Sequence, residues 1–284
     1  MKILLGDNQF FGVNHSNLKK AVETQKLFSS SENIIEFIKK SHEIGINGFM
    51  INSNDLGYKV VAQFPFMSFP EKECHFSIPY PHKYAALVNE TGILGLLKFI
   101  LRRIRPVDFK YVLQFLLSSN AAYLVPTIVR LEIPKNLPKG SVIYLQNVVT
   151  DLILGLDNGH KLIDTYINAV ENLGYKAGII TLNPLHFRKS YEEYGKHKDL
   201  YLCFNINKIG FNVFPSVEDV TKEIDYIKNK TKWKIVGMSI FSSGAQIVTI
   251  SESIEFIKSI DFDYIVFGSS KLNNIKENYL KFNT

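Results

Sequence analysis

Eight short apolar segments, each closed by turn residues, alternate with helical patterns along the chain. No other feature restricts the fold as much. The strand-like segments are residues 2–5, 47–52, 74–79, 142–148, 177–183, 201–207, 234–240 and 263–267. Their apolar runs are continuous, which marks strands covered on both faces. Between them, residues 32–44 place Ile34, Ile35, Phe37, Ile38 and His42 at spacings of three and four, and residues 217–228, 251–259 and 272–282 follow the same period. "SSSEN" and "SVED" supply N-caps, and the glycines of "IGING" (44–48) end a helix ahead of a strand. Eight strands with intervening helices in 284 residues predict an α/β chain folded as a (β/α)8 TIM barrel, one domain spanning 1–284. A doubly wound open sheet is the other arrangement considered. The glycine fingerprint of a dinucleotide-binding Rossmann unit is absent, because "GDNQFFG" does not fit it.

One interval breaks the rhythm. The third and fourth strands are separated by the long stretch 80–141, which predicts a helical insertion at about 84–125. Within it Leu94, Leu97, Ile100, Leu101 and Ile104 recur at helical spacing beside Lys98, Arg102, Arg103 and Arg105. A basic amphipathic helix of this kind either lies on an anionic membrane, through residues 92–105, or packs as a helical hairpin on the barrel or a second subunit. The packed hairpin is the favoured reading, and the apolar stretch 92–125 makes a homodimer an expectation.

Charge and cysteine usage narrow the function classes. The formal net charge is +6, but the lysines are scattered and no compact basic tract interleaves with aromatics, so nucleic acid is not the expected partner. An anionic small molecule suits the same modest charge. No uncharged apolar run reaches the roughly 18 residues a membrane span needs, and no secretory leader is recognised behind Met1. Cys74 and Cys203 lie far apart in apolar contexts, as free buried thiols in a reducing compartment do, so a cytoplasmic location is expected.

In a barrel enzyme the chemistry gathers where the strands end. Those positions hold Asp7, Asn8, Gln9 and His15 after the first strand, and Asn52, Asn54, Asp55 and Tyr58 after the second. "PYPHKY" brings Tyr80, His82 and Lys83 after the third, and Gln146, Asn147 and Asp151 follow the fourth. Asn183 and His186 follow the fifth, Asn205, Asn207 and Lys208 the sixth, Ser239, Ser242 and Ser243 the seventh, and Gly268, Ser269, Ser270 and Lys271 the eighth. Amides both donate and accept, so Asn8, Gln9, Gln146, Asn147, Asn205 and Asn207 suit a polyhydroxy ligand such as a sugar or sugar nucleotide. A metal site is not expected, since converging His, Cys and carboxylates are missing. The alternative for each amide is that it caps backbone groups in a loop. Lys208 ends an apolar strand, and a desolvated lysine there can act as a Schiff-base nucleophile. A loop lysine facing solvent is the alternative. Neither a nucleophile elbow nor a P-loop is present.

Several of these stretches resemble the aldo/keto reductases. "ENIIEFIKKSHEIGINGFMINSNDLGY" resembles that family's first helix and second strand, "INAVENLGYKAGIITLNPLHF" (167–187) its fifth strand, and "VGMSIFSSGA" (236–245) its seventh. "VFGSSKLNNIKENY" (266–279) resembles its closing cofactor segment. The resemblance implies a nicotinamide cofactor, NADP or NAD, held by Asn183, Ser239, Gly268, Ser269, Ser270, Lys271, Glu277 and Asn278. It implies Tyr58 as proton donor and Lys83 as the lysine that lowers its pKa, with His82 and Asn52 beside them. The departures are equally definite. The family's catalytic aspartate follows a Phe at the end of strand two, where this chain has Phe49 then Met50; its strand-four histidine is replaced by Gln146 or Asn147. Three functions are therefore carried forward: a reductase-like oxidoreductase on a small carbonyl or sugar-type substrate; a Schiff-base lyase of the aldolase type using Lys208, with the serine turn holding substrate phosphate; and a non-catalytic barrel that binds sugar or nucleotide.

Overall fold

The computed structural model describes residues 1–12, 18–69, 73–80, 86, 89–92, 95, 98, 101–118, 120–242 and 248–284. Eight parallel strands close into a barrel in sequence order: β1 (Lys2–Leu5), β2 (Gly48–Asn52), β3 (Glu73–Ile78), β4 (Val142–Leu145), β5 (Lys176–Ile180), β6 (Leu200–Asn205), β7 (Lys234–Met238) and β8 (Tyr264–Phe267). β8 pairs with β1 along its length, Lys2 opposite Tyr264 through Leu5 opposite Phe267, and this closure leaves no edge strand.

The helices round the barrel and in the β3–β4 connection include, among the described residues, α1 (Leu18–Leu27), α2 (Ser31–Ile44), α3 (Asp55–Gln63), α4 (Phe109–Ser118), α5 (Val125–Glu132), α6 (Asn147–Leu154), α7 (Gly159–Asn172), α8 (Pro184–Gly195), α9 (Val217–Lys230), α10 (Ile250–Lys258) and α11 (Leu272–Asn283). Their starts follow local chemistry. Ser30, Asn54, Asn183, Ser216 and Thr249 each accept a hydrogen bond from a first-turn N–H, so α2, α3, α8, α9 and α10 begin where a side chain satisfies an otherwise unpaired donor.

Strand alternation sorts the side chains into two cores. Leu5, Phe49, Ile51, Phe76, Ile143, Ile179, Leu202, Phe204, Ile235 and Ile265 point outward into the layer under the helices. Leu4, Met50, Tyr144, Ile180, Cys203, Val236 and Val266 form a separate interior cluster. The period of two then assigns the mouths. At the amino-terminal mouth the inward positions are Lys2, Gly48, Glu73, Lys176, Tyr201, Lys234 and Tyr264; at the carboxyl-terminal mouth they include Asn52, Ser77, Ile180, Asn205 and Met238.

Every predicted strand is present, and the differences lie at their ends. β4 stops at Leu145 rather than at residue 148, because Asn147 already opens α6. β7 stops at Met238, because Ser239 takes a left-handed φ of 58° that turns the chain out of the ladder. The connection from β3 to β4 carries α4 and α5, separated by a short 3-10 turn over Ala121–Leu124. The predicted helix through Leu94, Leu97 and Ile100 lies largely outside the described residues, as do His82 and Lys83. Both cysteines are buried free thiols, and burial pushes each pKa well up.

Candidate active site

The carboxyl-terminal mouth is organised round one carboxylate. Asp7 follows β1, and its Oδ2 accepts two hydrogen bonds from Asn52 at the end of β2, 2.8 Å from the backbone N–H and 2.6 Å from Nδ2. Burial pushes the Asp7 carboxyl up to about 6, against the lowering effect of the Asn52 and local backbone hydrogen bonds. A neutral amide stabilises the ionised form less than a cation does, which is why burial wins. Asn52 is fixed in turn, since its Oδ1 accepts the Asn54 N–H at 3.0 Å. Beside it the Ser53 hydroxyl donates to Glu132 Oε2 on α5 at 2.7 Å, tying the end of β2 to the long β3–β4 connection.

Round the mouth most of the expected amides are engaged with their own loops. Asn205 donates to the Asn212 carbonyl at 3.0 Å and accepts from the Ser239 hydroxyl at 2.7 Å, joining β6 to β7. Asn207 is fully buried, and both ends of its amide bond the backbone of Phe211, so it closes the β6–α9 loop and is not open to a ligand. Asn183 caps α8 through a 3.0 Å bond from the His186 N–H. Its own N–H donates to Thr181 Oγ1, whose hydroxyl donates to Asp151 at 2.6 Å. Gln146 Nε2 reaches Ser77 Oγ at 3.4 Å across the ends of β3 and β4. Gln146 and Ser77, with Asn8 and Asn147 nearby on the rim, are the polar groups least consumed by loop structure.

The turns after β7 and β8 sit side by side, since Phe241 packs on Phe267 with ring centroids 5.5 Å apart. Ser239 and Ser242 both hold left-handed φ angles, and Ser242 Oγ is buried with no hydrogen-bond partner. After β8, Ser269 Oγ accepts the Lys271 N–H at 3.2 Å. Lys271 is exposed and stands at the N-cap of α11 without a side-chain cap. At Gly268 a Cβ would fall 2.0 Å from Gln9 Oε1, so this glycine makes room for the Gln9 side chain, which donates to the Gly6 carbonyl at 2.5 Å. Asn278 is buried beneath α11 while Glu277 faces solvent, so the two do not act as a pair at one surface.

Two expected catalytic residues have other neighbours. Tyr58 sits one turn into α3 and packs against the outer core between helices and barrel. Lys208 lies beyond the end of β6, exposed, with Nζ 3.3 Å from Glu252 Oε1 on α10. The strand stops at Asn205, so the alternation that would have made Lys208 a desolvated strand-end lysine does not reach it. His82, Lys83, His15 and Ser243 lie outside the described residues.

Sequence reasoning placed Asp7 on the rim but gave it no role; the signal was a carboxylate immediately after an apolar strand, in "LLGDN". Ser77 was not singled out, although it stands two residues after the inward His75 on β3. Among the described residues no group of three His, Cys, Asp or Glu is placed to hold a metal ion, and no helix is long and apolar enough to cross a membrane.

No protein-family model matches the sequence, and no curated protein matches it significantly. Solved structures share the fold. One is a protein assigned as an aldo-keto reductase from Pseudomonas aeruginosa, 10% identical, with TM-score 0.57 over 99% of this chain and 88% of that one. An aldo-keto reductase from Bacillus halodurans in its holo form is 11% identical, with TM-score 0.51 over 100% and 87%. A D-allulose 3-epimerase from a Methylomonas species is 10% identical, with TM-score 0.52 over 100% and 96%. The likeness is one of fold: a (β/α)8 barrel of the kind those reductases have.

Proposed function

We propose that this barrel is an oxidoreductase that interconverts a carbonyl and an alcohol on a small hydroxyl-bearing substrate, with NADP or NAD as cofactor. The observation that carries the reading is the Asp7–Asn52 pair. The resemblance implies a catalytic carboxylate at the end of strand two. Here Asn52 stands at that strand end, and Asp7 brings a carboxyl to it from the neighbouring strand, 2.6 Å away. A carboxyl titrating near 6 is shared between its two forms close to neutral pH, the condition under which one group both gives and takes a proton efficiently.

In the reducing direction the Asp7 proton passes to the carbonyl oxygen as the carbonyl carbon gains hydride. The hydride's electron pair forms the new C–H bond, the C=O π pair takes the Asp7 proton as the O–H bond, and Asp7 is left as a carboxylate that solvent reprotonates. The oxidising direction is the reverse, with the Asp7 carboxylate taking the alcohol proton. Asn52 orients the carboxyl throughout, and Gln146 and Ser77 offer hydrogen bonds to neighbouring substrate hydroxyls.

The turns after β7 and β8 fit a dinucleotide. Ser269 and Ser270, the uncapped start of α11 and the exposed Lys271 form an anion-accepting surface, and the buried Ser242 lies in the neighbouring turn. Asn183 faces the same rim from β5. A nicotinamide bound there supplies the hydride.

Titration of the purified protein with NADPH and NADH, followed by fluorescence, tests the cofactor. No binding of either at high micromolar concentration overturns the reading. Asp7→Asn is expected to lower carbonyl reduction by about 10²–10⁴-fold while leaving cofactor affinity unchanged. In the unaltered protein kcat/KM for reduction should fall as pH rises through about 6, and that for oxidation should rise. Full activity in Asp7→Asn removes the role assigned to this carboxyl.

A further inference from the structure

We infer that the β3–β4 connection is a docking surface for anionic lipid bilayers, with α4 lying in the interface. Three observations combine. First, α4 has no buried residue, and Phe109, Leu113, Leu116 and Leu117 are 70%, 51%, 69% and 78% exposed. Their spacing of four, three and one places all four on one face of the helix, a continuous apolar stripe. Leu101, earlier in the same connection, is 60% exposed. Monomeric proteins rarely leave such a stripe in water.

Second, the charge next to the stripe has one sign. Residues 91–131 contain six Lys or Arg and a single Asp, so this segment alone carries +5 of the formal net charge of +6. The one acid, Asp108, is fully buried and paired with Arg130 on α5. The cations Lys98, Arg102, Arg103, Arg105 and Lys110 are all exposed, and all five precede α4 in the chain or sit in its first turn. From Tyr111 to Val129 there is no charged residue. The surface is apolar at one end and cationic at the other.

Third, the element is held outward. Asp108 immediately precedes α4. It accepts the Arg105 N–H at 2.9 Å and the Thr127 hydroxyl at 3.1 Å, besides its ion pair with Arg130. These bonds fix the foot of α4 to α5, which packs on α7. The half-buried face of α4, with Tyr111, Val112 and Phe115, turns inward and leaves the leucine stripe outside.

The charge pattern chooses the occupant. An antiparallel two-fold pairing of stripes would set the cationic end of each copy against the uncharged stretch of the other, so the cations gain no complementary charge from the partner stripe. An anionic bilayer complements both halves: the leucines and Phe109 enter the boundary between headgroups and acyl chains, and each nearby Lys or Arg gains about 1 kcal/mol from the surface potential. The inference is independent of the function proposed for the barrel mouth.

Vesicle co-sedimentation of the whole chain tests it, using vesicles of equimolar phosphatidylcholine and phosphatidylglycerol against phosphatidylcholine alone. Binding is expected to the anionic vesicles only, and to be lost near 1 M salt, where the screening length falls to about 3 Å. Leu116→Asp/Leu117→Asp and Arg102→Glu/Arg105→Glu should each weaken partition by at least about tenfold. Circular dichroism should be unchanged, because all four side chains are exposed. Arg102→Lys/Arg105→Lys should bind as the parent does. Equal binding to neutral vesicles, no binding to either, or both charge-changing variants binding as the parent overturns the inference. So does a dimer in sedimentation velocity that Leu116→Asp/Leu117→Asp dissociates while vesicle binding is absent.

Discussion

The two mouths of the barrel each hold a carboxylate, Glu73 among the inward strand residues and Asp7 just past the end of β1, and the two are tuned in opposite directions. At the carboxyl-terminal mouth Asp7 is raised to about 6, burial outweighing the hydrogen bonds from Asn52. At the amino-terminal mouth burial would likewise raise Glu73, but His75, Lys2 and Tyr264 hold it at about 2. Lys2 donates directly to Glu73, and His75 Nε2 lies 3.5 Å from it. His75 is itself fully buried, its pKa lowered by burial, and its Nδ1 lies 2.9 Å from the Tyr144 hydroxyl in the barrel interior. Neutral partners leave one carboxyl poised to change charge; cationic and hydroxyl partners fix the other. A barrel that works at one end and is held closed at the other needs that division.

The largest expected effect separates the mouths by rigidity. Gly48 opens β2 opposite Glu73, and an added Cβ would lie 2.1 Å from the Glu73 carbonyl oxygen. Backbone within a closed ladder cannot yield, so Gly48→Ala should cost about 3 kcal/mol in urea denaturation. At Gly268, on the working side, the clash is with the far end of Gln9, which can swing away. Gly268→Ala should cost less than about 1 kcal/mol. Equal costs would show that the two mouths are equally rigid.

The carboxylates come next, with opposite signs. Asp7 titrates higher folded than unfolded, so it favours the fold below about pH 4, and that contribution is lost as pH rises through about 6. Asp7→Asn should therefore stabilise the protein by about 2 kcal/mol at pH 7.5 and have little effect at pH 4. The replacement that stops turnover should make the protein harder to unfold, as expected of a strained working group. Glu73 titrates lower folded than unfolded, so its contribution is present above about pH 4 and lost as pH falls towards 2. Its side chain is 30% exposed, and solvent screening reduces the effect. Glu73→Gln should destabilise by about 1 kcal/mol at pH 7.5 and by nothing at pH 2. Matching pH profiles for the two variants would abolish the distinction between the mouths.

The same contrast explains what the sequence made legible. The barrel was readable because burial on both faces forces continuous apolar strands, and capping residues such as Ser30 and Ser216 force the helices between them. The site was readable only as a set of positions. An asparagine at a strand end looks the same whether it faces a ligand or bonds its own loop, and Asn205 and Asn207 proved to be loop-bonded. Asp7 is oriented by Asn52, 45 residues along the chain, through a strand pairing that no local pattern records. Tyr58 is placed by α3, which begins at once after Asn54, and its half-buried ring packs against the outer core.

The smallest effect is expected at Lys208, where it is also most discriminating. A lysine that forms a Schiff base must shed its proton in a desolvated pocket, whereas Lys208 is exposed and paired with Glu252, whose carboxyl is held at about 2 by its Thr249 backbone and hydroxyl bonds and by Lys208 itself. The pair joins the β6–α9 loop to the first turn of α10. Lys208→Met should leave Tm and carbonyl reduction unchanged, and borohydride treatment with small aldehydes should label Lys208 no more than other surface lysines by mass spectrometry. Selective trapping at Lys208 would move the chemistry from the β1–β2 side of the mouth to the β6 side and replace proton transfer by Asp7 with covalent catalysis. Ordinary labelling together with lost reduction in Asp7→Asn keeps the chemistry at Asp7, on the β1–β2 side of the mouth.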